Sequence, residues 1–377
     1  MAMHSIPVPE TVIPVQAIKG RGAVGPIAHR FSSQARDHFD DGWSNLDDQA
    51  AIQAQQRPST RVRMETARSA LTQNDSPDLA FDYAVNPYRG CEHGCIYCYA
   101  RPTHSYLNLS PGLDFETQII AKTNIVQALR QELLRKNYVP GVINIGSATD
   151  CYQPAERELQ LTRGLLALML ELGHPCSLVT KSSGVERDLD LLRPLARRQL
   201  VAVYITITTL DAKLARILEP RAAAPYRRLQ MIERLARAGV PMGVSLAPQI
   251  PFINEDMEQV LEAAAQAGAK SAFYSVLRLP WELSPLFRQW LAEHYPQRAE
   301  RVMARLQDMR GGQDYDSNFA TRMKGQGTWA MLIAKRFEIA CQRFGLNRER
   351  TMLDMGAFRG AVAMGAEIKS AQISLFE

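Results

Sequence analysis

The sequence predicts an α/β fold built from parallel βαβ units, on three observations. Short β-branched runs alternate with helical stretches from about Pro77 to Leu279. The runs are mostly apolar along their full length, as expected of strands covered on both faces. Several helical stretches stop at a glycine, Gly173, Gly239 or Gly268, which suits a helix C-terminus.

The elements follow in order. Leu79 to Val85 is the first candidate strand, and Asn124 to Lys136 the first amphipathic helix. Strands are then expected at Gly141 to Ser147, Cys176 to Lys181, Leu200 to Thr208, Pro241 to Ala247 and Lys270 to Leu277. Helices at Glu158 to Leu172, Val185 to Arg197, Tyr226 to Ala238 and Met257 to Ala267 lie between them. Strands alternating with helices in this way make crossover units, so the sheet is either open and doubly wound or curled toward a barrel. From Leu279 onward the periodicity is helical, clearest at Trp281 to His294, Arg298 to Arg310 and Trp329 to Arg343.

The organisation expected is an extended, partly disordered arm or linker over 1–77, an α/β unit over 78–279, a helical extension over 280–369 and a flexible tail over 370–377. The arm is rich in Pro, Gly, Gln, Ser and Asp, and carries a basic "KGRG" followed by an acidic "DHFDDGWSNLDD". The first residues lack a basic start followed by an apolar stretch, and the run "GLLALMLELG" is far short of a bilayer span. No membrane span and a cytoplasmic location are therefore expected. The net charge of +5 comes with arginines spread over Arg187 to Arg237 and Arg288 to Arg310. Charge alone does not separate a phosphate-binding surface from solvated helix faces.

Three of the six cysteines, Cys91, Cys95 and Cys98, fall in "GCEHGCIYCYARPTH", spaced C-x3-C-x2-C between the first strand and the first helix. In a reducing compartment clustered thiols point to metal or redox chemistry. A structural zinc wants four ligands, which His93 or His104 would have to complete. A redox pair needs only C-x2-C and leaves Cys91 without a role. Core packing does not suit three thiols in a polar, Gly-flanked loop. An iron-sulfur cluster on three thiolates, with one iron open to another ligand, fits the spacing best.

This spacing, with Tyr97 before the third cysteine and six βα units behind it, resembles the radical S-adenosylmethionine (radical SAM) superfamily. The resemblance implies a partial TIM-like (β/α)6 barrel, a [4Fe-4S] cluster on Cys91, Cys95 and Cys98, and S-adenosylmethionine on the open iron. It also implies reductive cleavage of that cofactor to a 5′-deoxyadenosyl radical, with an electron donor such as flavodoxin or ferredoxin. Cofactor contacts are expected from Tyr97, from Ser147, Thr149 and Asp150 after strand two, from Lys181 after strand three, and from Thr206 and Thr208 on strand four. The stretch "EPRAAAPYRRLQMIERLARAGVPMGVSLAPQIPFIN" is similar to the spore photoproduct lyase branch. That likeness places Glu219-Pro220-Arg221 and Ala247-Pro248 in the cofactor pocket, with Arg221 facing a substrate phosphate or carboxylate. One departure matters: the spore lyase carries a hydrogen-donating cysteine where this chain has Ser147, leaving Cys151 as the substitute catalytic candidate. Repair of spore photoproduct itself is therefore not expected.

The chain ends "QISLFE". Gln372, Leu375 and Phe376 resemble the peptide by which bacterial DNA polymerases and repair proteins dock on the sliding clamp, with two apolar anchors on a tail. Together with the lyase-like stretch this tips the expected substrate toward DNA. An RNA, peptide or small-molecule substrate, and a non-catalytic zinc-stapled module, are the competing expectations.

Overall fold

A computed structural model describes residues 18–24, 27–31, 59–349 and 351–360. Ten strands are formed in it: β1 (Arg61–Glu65), β2 (Leu71–Gln73), β3 (Tyr83–Val85), β4 (Tyr88–Arg89), β5 (Gln118–Lys122), β6 (Ile143–Ile145), β7 (Cys176–Thr180), β8 (Val201–Thr206), β9 (Met242–Gln249) and β10 (Ser271–Val276). Seven build the main sheet in the order β10-β9-β8-β7-β6-β3-β2. Its six sequence-predicted strands run parallel, and β2 lies antiparallel on the outside of β3. β10 and β2 are not paired to each other, so the barrel is partial.

The parallel arrangement follows from the crossovers. Helices at Ile125–Leu133, Leu161–Leu172, Leu189–Arg197, Pro225–Arg237 and Met257–Gln266 return the chain between successive strands. Ile143, Ile145, Leu178, Val203, Ile205, Val244 and Leu246 are buried with Leu165, Met169, Leu192, Leu195, Ile232 and Leu235 in one core. Each fully buried aliphatic side chain contributes about 1.5–3 kcal/mol by leaving water, which fixes the face each strand turns inward. Gly173 ends its helix at φ 67°, a left-handed conformation glycine adopts without steric penalty.

Two features were not legible as periodicity. A short helix, Ala212–Leu218, is capped by the Asp211 carboxylate, which accepts from the amides of Lys213 (2.7 Å) and Leu214 (3.2 Å). A second sheet joins β1, β5 and β4. The alternating "RVRME" of β1 is largely exposed and gains its place by parallel pairing with β5. C-terminal helices at Leu283–His294, Ala299–Asp308 and Gly327–Phe344 match the expected periodicity.

The outer edge of β10 is covered. Asn347 donates through Nδ2 to the Ala272 carbonyl (2.9 Å) and accepts at Oδ1 from the Ala272 amide (2.8 Å). The Asn347 amide donates to the Lys270 carbonyl at 2.8 Å, and the Val276 amide to the Met323 carbonyl at 2.8 Å. Among the described residues no helix is long and apolar enough to cross a membrane.

Candidate active site at the cysteine loop

The loop that carries the three thiols leaves the short strand β4 through Gly90, at φ 78°. A side chain there would meet the Phe115 carbonyl oxygen at 2.9 Å. The Cys91 amide donates to that same carbonyl at 2.9 Å. The Ile96 amide donates to the Leu218 carbonyl at 3.1 Å, tying the loop to the segment that follows β8. Cys91 and Cys95 are buried, Cys98 is partly exposed, and none is in a disulfide. Both nearby histidines are engaged: His93 Nδ1 faces the Asp150 carboxylate at 3.2 Å, and His104 Nε2 bonds the Gln118 carbonyl at 3.1 Å.

The residue that shapes this loop is Arg101, which the sequence reading missed. Its guidinium group, fully buried, donates to the carbonyls of Cys95 (2.8 Å), Gly94 (3.0 Å), Gly112 (2.8 Å) and Pro111 (3.2 Å). It also pairs with the buried Glu116 carboxylate. Glu116 in turn accepts from the amides of Gly22 (3.1 Å) and Ala23 (2.9 Å) in the N-terminal arm. Gly22 lies so close that a Cβ on it would stand 1.8 Å from the Gly94 carbonyl oxygen. The "KGRG" of the arm is thus docked on the cysteine loop through its last glycine, Gly22.

At the strand ends, the expected cofactor residues divide by what they already hold. Thr149 donates to the Gly90 carbonyl at 2.7 Å, and Gln153 bonds both. Asp150 accepts from the Thr180 hydroxyl (2.7 Å), the Tyr152 amide (2.9 Å) and the Lys181 amide (2.8 Å), besides facing His93. Burial alone would raise Asp150, but His93 and the Lys181 amide and ammonium outweigh it and hold its carboxyl low. Ser147 accepts from Asn86 at 3.2 Å, which leaves its own hydroxyl hydrogen available. Tyr99, next to Cys98, donates to the Ser147 carbonyl.

A second group gathers on Glu219. Tyr97 and Arg228 both bond its carboxylate, and Thr208 donates to it at 3.0 Å. Arg228 also donates to the carbonyls of Ala223 (2.6 Å) and Thr206 (3.0 Å). Burial pushes Glu219 up, yet Arg228, Lys181 and Tyr97 hold it below the usual carboxylate range. Thr206 is buried on β8, and Ala247 precedes a cis peptide to Pro248 on β9. The Lys181 ammonium lies 5.7 Å from the centre of the Tyr97 ring and has no hydrogen-bond or ion-pair partner among the described residues. Cys95, Glu219 and Asp150 outweigh the effect of burial and keep it charged.

Two further expected residues are already paired or enclosed. Arg221 pairs with Glu92 at 3.2 Å, and its amide donates to the His93 carbonyl at 3.2 Å, so it braces the cysteine loop. Cys151 is completely buried in the main core, and burial, reinforced by Asp150 and Glu156, pushes its thiol far up. Gln372, Leu375 and Phe376 lie outside the described residues.

A parallel, partial six-unit barrel with a three-cysteine loop after its first strand defines a class, and the comparisons agree with it. The radical SAM superfamily model matches residues 85–264. Residues 85–264 thus carry a radical SAM domain, and the fold is that of spore photoproduct lyase. That lyase in complex with dinucleoside spore photoproduct superposes with a TM-score of 0.51 at 15% identity, over 76% of this chain and 80% of the lyase. An uncharacterised protein of Mycobacterium tuberculosis is 37% identical over 226 residues, 59% of this chain; the match spans 66% of that relative's length. An uncharacterised protein of Methanocaldococcus jannaschii is 27% identical over 220 residues, 58% of this chain and 79% of that protein.

The superfamily's cofactors are a [4Fe-4S] cluster and S-adenosylmethionine; among the described residues no three Cys, His, Asp or Glu side chains converge as a metal site, and the three unbridged thiols of this loop are the groups that would turn together to hold the cluster. Burial pushes Cys95 up to about 12, against the pull of Lys181 and with Glu219 and Cys98 adding to the rise. Burial, Asp150 and the other two thiols push Cys91 well above the ordinary thiol range. Thiols of this kind release their protons when metal binds. The partnerless ammonium of Lys181 beside Cys95 suits the carboxylate of an amino-acid cofactor.

Proposed function

We propose that the chain is a radical SAM enzyme that abstracts hydrogen from DNA, in a repair or modification reaction of the lyase type. When bound at Cys91, Cys95 and Cys98, the cluster supplies the electron that cleaves S-adenosylmethionine to the 5′-deoxyadenosyl radical. The observation that carries this reading is the ammonium of Lys181 near Cys95, without a hydrogen-bond or ion-pair partner among the described residues, together with three unbridged thiols in one loop. Lys181 would hold the cofactor carboxylate, and the Ser147 hydroxyl would face its amino group. Tyr97, Thr208 and Arg228 fix Glu219 at the edge of the same space. Asp150 and Thr149 act one step back, holding the loop that carries the thiols. DNA is favoured by the lyase-like fold, by the arginine content and by the clamp-like "QISLFE". The protein would work in the cytoplasm with a flavodoxin or ferredoxin as electron donor.

The test is anaerobic reconstitution with iron and sulfide, followed by measurement of 5′-deoxyadenosine formed with a reductant. Visible absorbance of a [4Fe-4S] cluster and cofactor cleavage stimulated by DNA are the expected results. Cleavage that no DNA stimulates, with deuterium entering 5′-deoxyadenosine from an RNA or peptide instead, would reassign the substrate. Zinc without iron in anaerobically purified protein would overturn the enzyme reading.

A further inference from the structure

Large aromatic side chains cluster in the open beside the cysteine loop. Phe31, Tyr106 and Trp281 are 56%, 69% and 62% exposed. They come from three separate segments: the N-terminal arm, the 3-10 helix Arg101–Leu107 after the cysteines, and the turn that follows β10. The Arg30 guanidinium stands among all three, 4.7, 4.9 and 4.6 Å from their ring centres. Glu282 fixes it there, accepting from Arg30 at 2.7 and 2.9 Å, and Ser105 donates to the same carboxylate at 3.3 Å. A fourth exposed ring, Tyr99, directly follows Cys98 and lies 4.6 Å beneath the guanidinium of Arg278.

These rings are not there for packing, since water reaches about half or more of each. Exposing so much aromatic surface is unfavourable by roughly 25 cal/mol per Å², and large exposed apolar patches mark interaction sites. Trp281 is moreover held at φ 46°, a left-handed backbone that a bulky residue rarely adopts. The carboxylates beside the rings, Glu282 and Asp78, are already paired with Arg30 and Arg322. Arg278 has no ion-pair partner among the described residues. Interleaved rings and guanidinium groups with a positive balance are what a single-stranded nucleic acid requires: faces for unpaired bases to stack on, and cations for the phosphates between them.

We propose that Tyr99, Tyr106, Trp281 and Phe31, with Arg278 and Arg30, form a stacking platform for unpaired nucleobases that leads a single strand toward the cysteine loop. This rests on the nucleic-acid reading above and adds that the strand is bound unpaired, on these rings.

The test is fluorescence anisotropy of a labelled 12-nucleotide single strand, as DNA and as RNA, titrated with the full-length protein without S-adenosylmethionine or reductant. Because no turnover is needed, failure of the radical chemistry on DNA leaves this readout intact. Tyr106→Ala with Trp281→Ala is expected to weaken binding about tenfold for each ring removed, whereas Trp281→Phe keeps most of the affinity. Arg278→Ala is expected to lower the slope of log affinity against log salt by about 0.7. Tyr106 and Trp281 are exposed and Arg278 is half-buried, and far-UV circular dichroism checks that the variants fold. Equal affinity of the wild type and the ring-less variant would overturn the proposal, as would preference for a blunt duplex over the single strand. Competition by an unrelated acidic peptide at equal strength would assign the surface to a protein partner and also overturn it.

Discussion

Arg101 and Glu116 form an ion pair at 2.5 Å in which both side chains are completely buried. Through it the carbonyls of Gly94 and Cys95 on one side and the amides of Gly22 and Ala23 on the other are held by a single charged contact. Breaking a buried pair by removing one partner costs about 3–5 kcal/mol, because the remaining charge is left without a counter-ion. Arg101→Leu is therefore expected to lower the unfolding midpoint and to reduce iron bound per chain after reconstitution. Arg101→Lys, which keeps the charge but not the fork of donors, should fall between. Wild-type iron content in Arg101→Leu would show that the loop does not depend on this pair.

The arm is tested separately at Gly22. Gly22→Val places a side chain where the Gly94 carbonyl already stands, an overpacking worth about 1–3 kcal/mol. Faster proteolytic cleavage of the arm and faster loss of iron to a chelator are expected. Gly20→Asn is the control, since nothing lies within 4 Å of that position and Asn tolerates its positive φ.

Lys181→Met removes the free ammonium next to Cys95. A charged hydrogen bond contributes about 1.5–3 kcal/mol, so affinity for S-adenosylmethionine should drop about tenfold to a hundredfold in equilibrium dialysis. Iron content should stay at the wild-type level. Unchanged affinity would take Lys181 out of the cofactor site.

His174 gives a pH dependence away from the site. Its Nδ1 hydrogen bonds the Pro175 carbonyl at 3.0 Å, and Nε2 accepts from the Tyr138 hydroxyl at 2.7 Å. Burial, only partly opposed by the Pro175 contact, pushes this imidazole down from 6.5 to about 4. The unfolded chain then takes up the proton first as pH falls. The stability from the neutral ring is fully present above pH 6.5 and is lost progressively down to about pH 4. Between pH 7 and 5 this group removes about 2 kcal/mol. Urea midpoints at the two pH values should converge in His174→Gln; an unchanged difference would show that other groups set the acid sensitivity.

The C-terminal hexapeptide is tested by binding to a purified bacterial sliding clamp. Leu375→Ala with Phe376→Ala should abolish measurable binding, and equal affinity with and without the two side chains would remove the tail from the account.

All six parallel strands of the sheet were legible because β-branched runs alternating with helices leave few topologies open. The cysteine spacing was legible because the three thiols fall within eight consecutive positions of one loop. Arg101, Glu116 and Gly22 were not, because their pairing joins residues 15 and 94 positions apart, and local pattern carries no trace of such contacts. Thr149 and Asp150 were found by position, but only their partners, Gly90, His93 and Thr180, show that they hold the loop. Strand β1 escaped because it lies in the stretch read as an arm: its alternating Val62 and Met64 are exposed rather than turned to a core, and pairing with β5 makes it a strand.

An incomplete barrel ends in a strand whose row of backbone groups invites a stranger to extend the sheet. Here one carboxamide, that of Asn347, occupies the hydrogen-bonding positions a visiting strand would need at Ala272. Two copies meeting at β10 cannot zip together there without first evicting it, and at the far edge β2 offers only three residues to grip. The molecule can thus leave its barrel unclosed without becoming a seed for its own aggregation.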